Sequence, residues 1–254
     1  MDINQESIMK EMIDNNESCR IIQDGDETIV KLRPMSILDG LKGKLSDEDI
    51  QNSGNIINRQ LTINTLRTNL YRQCINTQCS YQNQSIFRAV PNGNCEAKVM
   101  FINKQPTQYE ACNMSTHCDK EGTFLSLILS KMNVSRDSIY CTDMIKCYGN
   151  PDEQSCKECI NQYLEQEINF VNPQIIICNG MSVLNACIKM GIICNLPDSI
   201  SYGTIYNTVT SLGRNLKVIA IYDLNKVLQK QNADYIKCKD ELWGQILTAF
   251  KATV

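Results

Sequence analysis

The chain has 254 residues, 28.8 kDa, with 43% hydrophobic and 21% charged residues. These values exclude bulk disorder and a fibrous repeat, and the length suffices for one large or two small domains with a core that needs no crosslinks. A net charge of −3 and a pI near 5.3 argue against a protein that coats nucleic acid non-specifically, though a local basic cleft stays compatible with them.

Fourteen cysteines are an unusual count for a chain of this size. The first residues, MDINQESIMKEMIDNN, are acidic and polar, without a basic segment followed by an apolar one. An intracellular, reducing (cytoplasmic) setting and a monomer are expected, with no membrane span, because no run of eighteen apolar residues occurs. Cys178, Cys187 and Cys194 sit in apolar contexts and read as small buried hydrophobes. His117 is the only histidine, so a multi-histidine zinc site is excluded.

Residues 1–58 read as an extension rich in Asp, Glu, Asn and Ser, and residues 59–254 as the main domain. Within the extension, ETIVKLRPM suggests one strand, and LSDEDIQNSGNIINRQL a turn leading into a helix. LTINTLRTNLYRQC places Leu61, Leu66 and Leu70 at helical spacing. Pro91, Asn92 and Gly93 form a turn cluster before the strand AKVMFI. There follow a helix at GTFLSLILSKMN, a strand in DSIYCTDMI, a helix at SCKECINQYLEQEINFV and a buried strand in NPQIIICNG. MSVLNACIKMG is a helix closed by Gly191. GTIYNTV and LKVIAIYDL are strands, and KDELWGQILTAFKATV is the last helix.

This alternation predicts an α/β fold: a three-layer α/β/α sandwich around a mainly parallel sheet. Ligands of such folds bind beyond the carboxyl ends of the strands. The candidate site therefore lies in residues 103–107, 142–147, 179–182 and 223–226.

Those four segments, in this order, resemble the uracil-DNA glycosylase superfamily, most of all its family-four, iron–sulfur type. The resemblance runs from about Leu66 to Phe250. VMFINKQPTQYE resembles the strand and Gly-Glu-Ala-Pro-Gly loop of that family, and STHCDKEGTFLSLIL its Pro-Phe-Val-Gly-Arg-Ala-Gly segment. YCTDMIKC resembles Tyr-Ile-Thr-Asn-Val-Val-Lys-Cys, and LKVIAIYDLNKVLQ the last strand with its His-Pro motif. ECINQYLEQEINFVNPQIIICNGMSVLNACI resembles the helix–strand–Gly–helix run.

The resemblance implies a DNA glycosylase that flips a base and cleaves its N-glycosidic bond. It also implies a [4Fe–4S] cluster on Cys74, Cys79, Cys147 and Cys159, with Cys156 competing for the last position. Cys74 and Cys79 have four residues between them where the family has two. Four-thiolate zinc or ordinary thiols are the alternatives.

Several key positions depart from the pattern. Lys104 stands where the family has its water-positioning Glu, and reads as a phosphate contact, a Schiff-base nucleophile or a mark of lost catalysis. Asp143 replaces the base-reading Asn. An ionised carboxylate only accepts, so it suits the exocyclic amine of a cytosine-type base; pairing with Lys146 is its structural reading. Asp223 replaces the His that donates to the departing base. It reads as a helix cap or as a carboxylate stabilising the sugar cation, with Asn225 or Lys226 as substitute donors. His117 takes the place of a stacking Phe.

Gln105 and Pro106 fit the loop that cradles base and sugar, and Gly180 and Ser182 fit a DNA-phosphate contact. The expected function is excision of a modified cytosine-type base or uracil, with defence against foreign DNA as one use. The alternatives are a catalytically silent DNA- or base-binding protein on the same fold, and an unrelated metal-binding α/β protein.

Overall fold

The computed structural model describes residues 19–24, 27–32, 61, 63–70, 79 and 88–253, and divides the chain into two units, Met1–Ile57 and Asn58–Val254. In the first unit, β1 (Cys19–Asp24) and β2 (Glu27–Leu32) pair antiparallel, with Cys19 opposite Leu32 and Asp24 opposite Glu27. The sequence indicates β2 alone; a strand as polar as CRIIQD gives little periodic signal. The segment 45–60 and residues 71–74 of the expected helices lie outside the described residues, as does Cys74.

The second unit holds a seven-stranded sheet. Its strands are β3 (Asn92–Gly93), β4 (Val99–Asn103), β5 (Tyr140–Asp143), β6 (Ile175–Asn179), β7 (Ile193–Cys194), β8 (Ile205–Thr210) and β9 (Asn215–Ile221), in the spatial order β3-β5-β4-β6-β9-β8-β7. The central four, β5, β4, β6 and β9, are mutually parallel. The two-residue strands β3 and β7 and the longer β8 add antiparallel edges. The Pro-Asn-Gly cluster is thus a two-residue edge strand rather than a free turn.

The central strands read VMFIN, YCTD and IIICN, buried along their whole length, as expected for strands covered on both faces. Alternate residues supply two separate cores. Met100, Ile102, Ile176, Cys178, Val218 and Ala220 pack against residues 63–70 and the helices near 160–171 and 181–189. Val99, Phe101, Ile175, Ile177, Ile219 and Ile221 pack against Leu125, Leu129, Leu242 and Ile246 on the other side. The result is a three-layer α/β/α sandwich.

The helices of this unit begin with residues 63–70 (α1) and continue with α2 (Gln108–Cys112), α3 (Lys120–Lys131), α4 (Glu153–Cys159) and α5 (Glu165–Val171). After these come α6 (Met181–Lys189), α7 (Leu224–Leu228) and α8 (Asn232–Lys251). A π-helical turn, Ile160–Leu164, joins α4 to α5, where the sequence suggests one continuous helix. Met190 caps α6, and Gly191, at φ 69°, takes the left-handed position that ends it. No helix among the described residues is long and apolar enough to cross a membrane.

Register fixes the functional edge. Asn103 pairs with Asp143 across β4 and β5, and Asn179 pairs with Ile221 across β6 and β9. Asn103, Asp143, Asn179 and, two residues beyond β9, Asp223 therefore come to the same carboxyl edge from segments far apart in sequence.

Candidate active site at the carboxyl edge of the sheet

Two asparagines tie this edge together. Asn103 Oδ1 accepts the Lys104 amide N–H at 2.9 Å and an N–H from Asn179 Nδ2 at 3.0 Å. Asn179 Oδ1 accepts the amide N–H of Leu224 at 2.9 Å, which fixes the start of α7. Both side chains are buried, and each oxygen is satisfied. Neither asparagine drew notice in the sequence as more than a post-strand residue.

Asp143 ends β5 with 1% exposure. The Thr116 hydroxyl donates to its Oδ2, while its Oδ1 is buried with no hydrogen-bond partner among the described residues. Burial and the neighbouring Glu110 push the Asp143 carboxyl up to about 7, against the Thr116 hydrogen bond and Lys146, which lower it. The expected pairing with Lys146 is indirect. Lys146 Nζ donates to Thr142 Oγ1 and to the backbone oxygen of Asp143, both at 2.6 Å, and its ion-pair partner is the buried Glu167 at 2.8 Å.

His117 follows Thr116 and is also buried. Its ring meets Phe101 edge-on, with centroids 5.0 Å apart, and neither ring nitrogen has a hydrogen-bond partner among the described residues. Burial, with a smaller contribution from Arg136, lowers its pKa to about 3, so the imidazole is neutral and offers one donor and one acceptor.

His117 is held through its backbone, at φ 52°. Its N–H donates to Glu110 Oε1, while Glu110 Oε2 accepts the Thr107 N–H at 2.8 Å in a reciprocal capping box on α2. The Thr-x-x-Glu spacing of Thr107 and Glu110 carries that signal in the sequence. Gly122 completes the seat: a Cβ there would lie 1.8 Å from the His117 carbonyl oxygen, so only glycine lets α3 approach so closely.

Glu121, in the first turn of α3, is a residue that sequence reasoning missed. It is 4% exposed, and burial together with Asp119, Asp223 and Glu110 pushes its carboxyl up to about 8. An acidic residue at this position is usually read as helix-dipole complementation on a solvated face.

Asp223 is the N-cap of α7, its Oδ1 accepting the Lys226 amide N–H at 3.1 Å. The geometry of the cap reading is therefore present. Gly180, at φ 97°, sits against it: a Cβ on Gly180 would be 3.5 Å from the Asp223 Cβ and 3.8 Å from Ser182 Oγ. Gly180, Ser182, Asp223 and Lys226 thus gather at one place, with Ser182 and Lys226 exposed. Asn225 Oδ1 accepts from Gln229 Nε2 at 3.3 Å.

The 104–106 loop is differently engaged. Lys104 is exposed, and its charge acts on the Cys156 thiol. Gln105 spends its side-chain amide on the Gly149 carbonyl at 3.0 Å, and Pro106 is buried.

Of the expected cluster ligands, Cys147 and Cys159 are buried near the end of β5, and Cys159 Sγ accepts the Lys146 amide N–H at 3.4 Å. Cys79 is half-buried and close enough to Cys156 to help raise that thiol. Among the described residues no group of three His, Cys, Asp or Glu is disposed to hold a metal. The donor set nonetheless suits a thiolate-bound centre in kind, with four described cysteines in this region and an amide N–H aimed at one of the sulfurs.

Residues 90–247 match the family model of the Uracil DNA glycosylase superfamily. A type-4 uracil-DNA glycosylase of Archaeoglobus fulgidus is 25% identical over 142 residues, which cover 54% of this chain and 70% of that protein. A type-4 uracil-DNA glycosylase of Thermotoga maritima is 22% identical over 102 residues, covering 38% of this chain and about half (52%) of that one. With well over half of its length inside the family match, and with the fold that the strand order describes, the chain belongs to the uracil DNA glycosylase superfamily.

Proposed function

We propose that the protein is a DNA N-glycosylase that draws a pyrimidine out of the stack and holds it at the carboxyl edge of the sheet, between Asp143 and His117. The observation that carries this reading is the Asp143 carboxyl: buried, fixed on one oxygen by Thr116, and without a partner among the described residues on the other. A buried polar atom without a partner is costly, and a ligand is the ordinary reason for tolerating it.

Asp143 reads the base edge in either protonation state. Ionised, Oδ1 accepts from an exocyclic amine of a cytosine-type base. Protonated, it donates to a carbonyl such as O4 of uracil. With the carboxyl poised near 7, acid favours uracil and base favours an amino-bearing pyrimidine. His117 supplies the one neutral N–H that can meet charge developing on the departing base.

Cleavage leaves positive charge on the sugar. Asp223 supplies the anion that offsets it, in place of the carboxylate absent at Lys104. Lys104, exposed in the same loop, contacts phosphate. Gly180, Ser182 and Lys226 hold the backbone on the opposite side.

A [4Fe–4S] cluster on Cys74, Cys79, Cys147 and Cys159, with Cys156 competing for the last position, would pin the loops after β5. When bound it serves as a structural crosslink rather than a redox centre. Iron and sulfide analysis with an absorption band near 400 nm tests it, and a colourless protein prepared without oxygen would sink it.

The decisive experiment is an excision assay on oligonucleotides carrying uracil, cytosine or modified cytosines, with released bases read by mass spectrometry. Release of a pyrimidine whose identity shifts in the Asp143→Asn variant is the expected result. DNA binding without release from any substrate would instead support the silent reader, which the capping role of Asp223 and the loss of a carboxylate at Lys104 favour.

A further inference from the structure

A recess opens beside Asp223, near the β9 end of the same edge. Its volume is about 210 Å³, and Tyr202, Tyr222, Asp223, Lys226, Lys230 and Cys238 line it. The topology explains why it stands at the functional edge. β8 runs antiparallel to β9, so the residues entering β8 lie beside those leaving β9, and the Gly203 amide N–H donates to the Ala220 carbonyl at 2.8 Å.

The recess is built rather than incidental. Tyr202 and Tyr222 meet edge-to-face, with centroids 5.0 Å apart and planes at 62°. Tyr222 is fixed through its backbone, its amide N–H donating to Gln245 Oε1 at 2.8 Å, and the neighbouring Glu241 carboxylate raises the pKa of its hydroxyl. Gly203, at φ 75°, brings the loop against the same Gln245, where a Cβ would meet the side chain at 2.9 Å. Tyr202 remains 43% exposed, an aromatic ring held from behind and presented outward.

Two exposed lysines, Lys226 on α7 and Lys230 just past its C-cap, line the recess beside that ring. An aromatic face next to a paired cationic rim is the arrangement that takes one nucleotide of a strand: the base stacks and the phosphate is neutralised. Asp223 repels an anion from its own side and leaves the lysines as the phosphate position.

We infer that this recess is a subsite for a nucleotide flanking the extruded one, its base stacked on Tyr202 and its phosphate held by Lys226 and Lys230. The inference rests on the glycosylase reading and deepens it: the enzyme would engage a splayed, locally single-stranded segment rather than one base alone.

The test is a thermodynamic cycle on the full-length protein, read by fluorescence anisotropy. The probes are short single-stranded oligonucleotides with a central 2′-fluoro pyrimidine that resists cleavage, and with the flanking base on one side or the other present or removed. Removing the flanking base on one side weakens wild-type binding about tenfold, the size of one stacking contact. Tyr202→Ala weakens the intact probe by a similar factor and no longer senses that base, while Tyr202→Phe, which keeps the ring, behaves as wild type. Lys226→Ala with Lys230→Ala lowers the salt dependence by roughly 0.7 per lysine on log–log axes. If the base deletion and Tyr202→Ala are simply additive, the subsite is overturned and the glycosylase reading stands. If the wild type binds no probe, the subsite is overturned, and the glycosylase reading stands or falls on the excision assay.

Discussion

The carboxyl edge of the sheet carries two buried polar clusters that differ in one respect. The Asn103–Asn179 pair is closed: both side-chain oxygens are taken up, by Lys104, Leu224 and the other asparagine. The Asp143–His117 pair is open: three buried polar atoms, Asp143 Oδ1 and both His117 ring nitrogens, lack partners among the described residues. The closed cluster holds strand ends and a helix start in place, and its cost of burial is repaid within the fold. Among the described residues the open cluster has no such return, which is why we propose that it faces a ligand.

Opening the network that supports both clusters gives the largest expected effect. Lys146→Met leaves Glu167 charged and alone in the core, and frees the Asp143 carbonyl and the Thr142 hydroxyl. A loss of about 3–5 kcal/mol is expected, on the order of 10 °C in Tm by thermal denaturation. A Tm within a degree or two of wild type would show that the pair is no support at all.

The two clusters should then respond oppositely to truncation. Asn179→Ala strands the Leu224 amide and removes one of the two donors to the Asn103 amide oxygen, and should cost about 2–3 kcal/mol in denaturant unfolding. Asp143→Asn leaves the fold as stable or more so, since it removes a carboxyl that burial disfavours, while base preference shifts toward uracil. Equal destabilisation by the two variants would erase the distinction between closed and open.

Titration sharpens the same contrast. Asp143 and Glu121 hold their protons to higher pH in the fold, to about 7 and about 8, than carboxyls do in an unfolded chain. The folded state therefore binds more protons across the interval from about pH 4 to 8. The stability these groups contribute is present at its lower end and is lost as pH rises through their folded values. Tm should fall between pH 5 and 8, and Asp143→Asn and Glu121→Gln should each flatten part of that fall. A Tm that rises through the interval and is indifferent to both substitutions would contradict the burial of these groups as charged-form penalties. For excision, the ratio of uracil to amino-pyrimidine release should decline over the same range in the wild type and stay flat in Asp143→Asn.

What the sequence discloses of this site follows from how local each signal is. IIICN and VMFIN read as buried strands because an unbroken apolar run needs no partner to be recognised. Asp223 before LNKVL reads as a cap, and its geometry is that of one, because a cap is written within three residues. The edge strands at 92–93 and 193–194 are too short to show any period, and α8 begins seven residues before the expected start because its first turns are polar. Glu110 reaches His117 only after α2 folds back, and Glu121 is buried only because Gly122 lets α3 press on the His117 loop. Both depend on approach distances that no spacing encodes. The thiols illustrate the same limit: Cys147 and Cys159 meet around the Lys146 amide only once α4 packs back against the end of β5.

The smallest effect separates the two readings of Asp223. As a cap alone, Asp223→Ala should cost about 1 kcal/mol, and Asp223→Asn or Asp223→Ser almost nothing, since both side chains can still accept the Lys226 amide N–H. Excision would then track stability and be unchanged in the Asn variant. As an anion facing the sugar, Asp223→Asn keeps the cap but removes the charge, so kcat should fall by two orders of magnitude or more at unchanged Tm. The neutral amide is thus the informative substitution. It holds α7 in place in either case, and only a group that meets charge in the transition state is sensitive to losing its own.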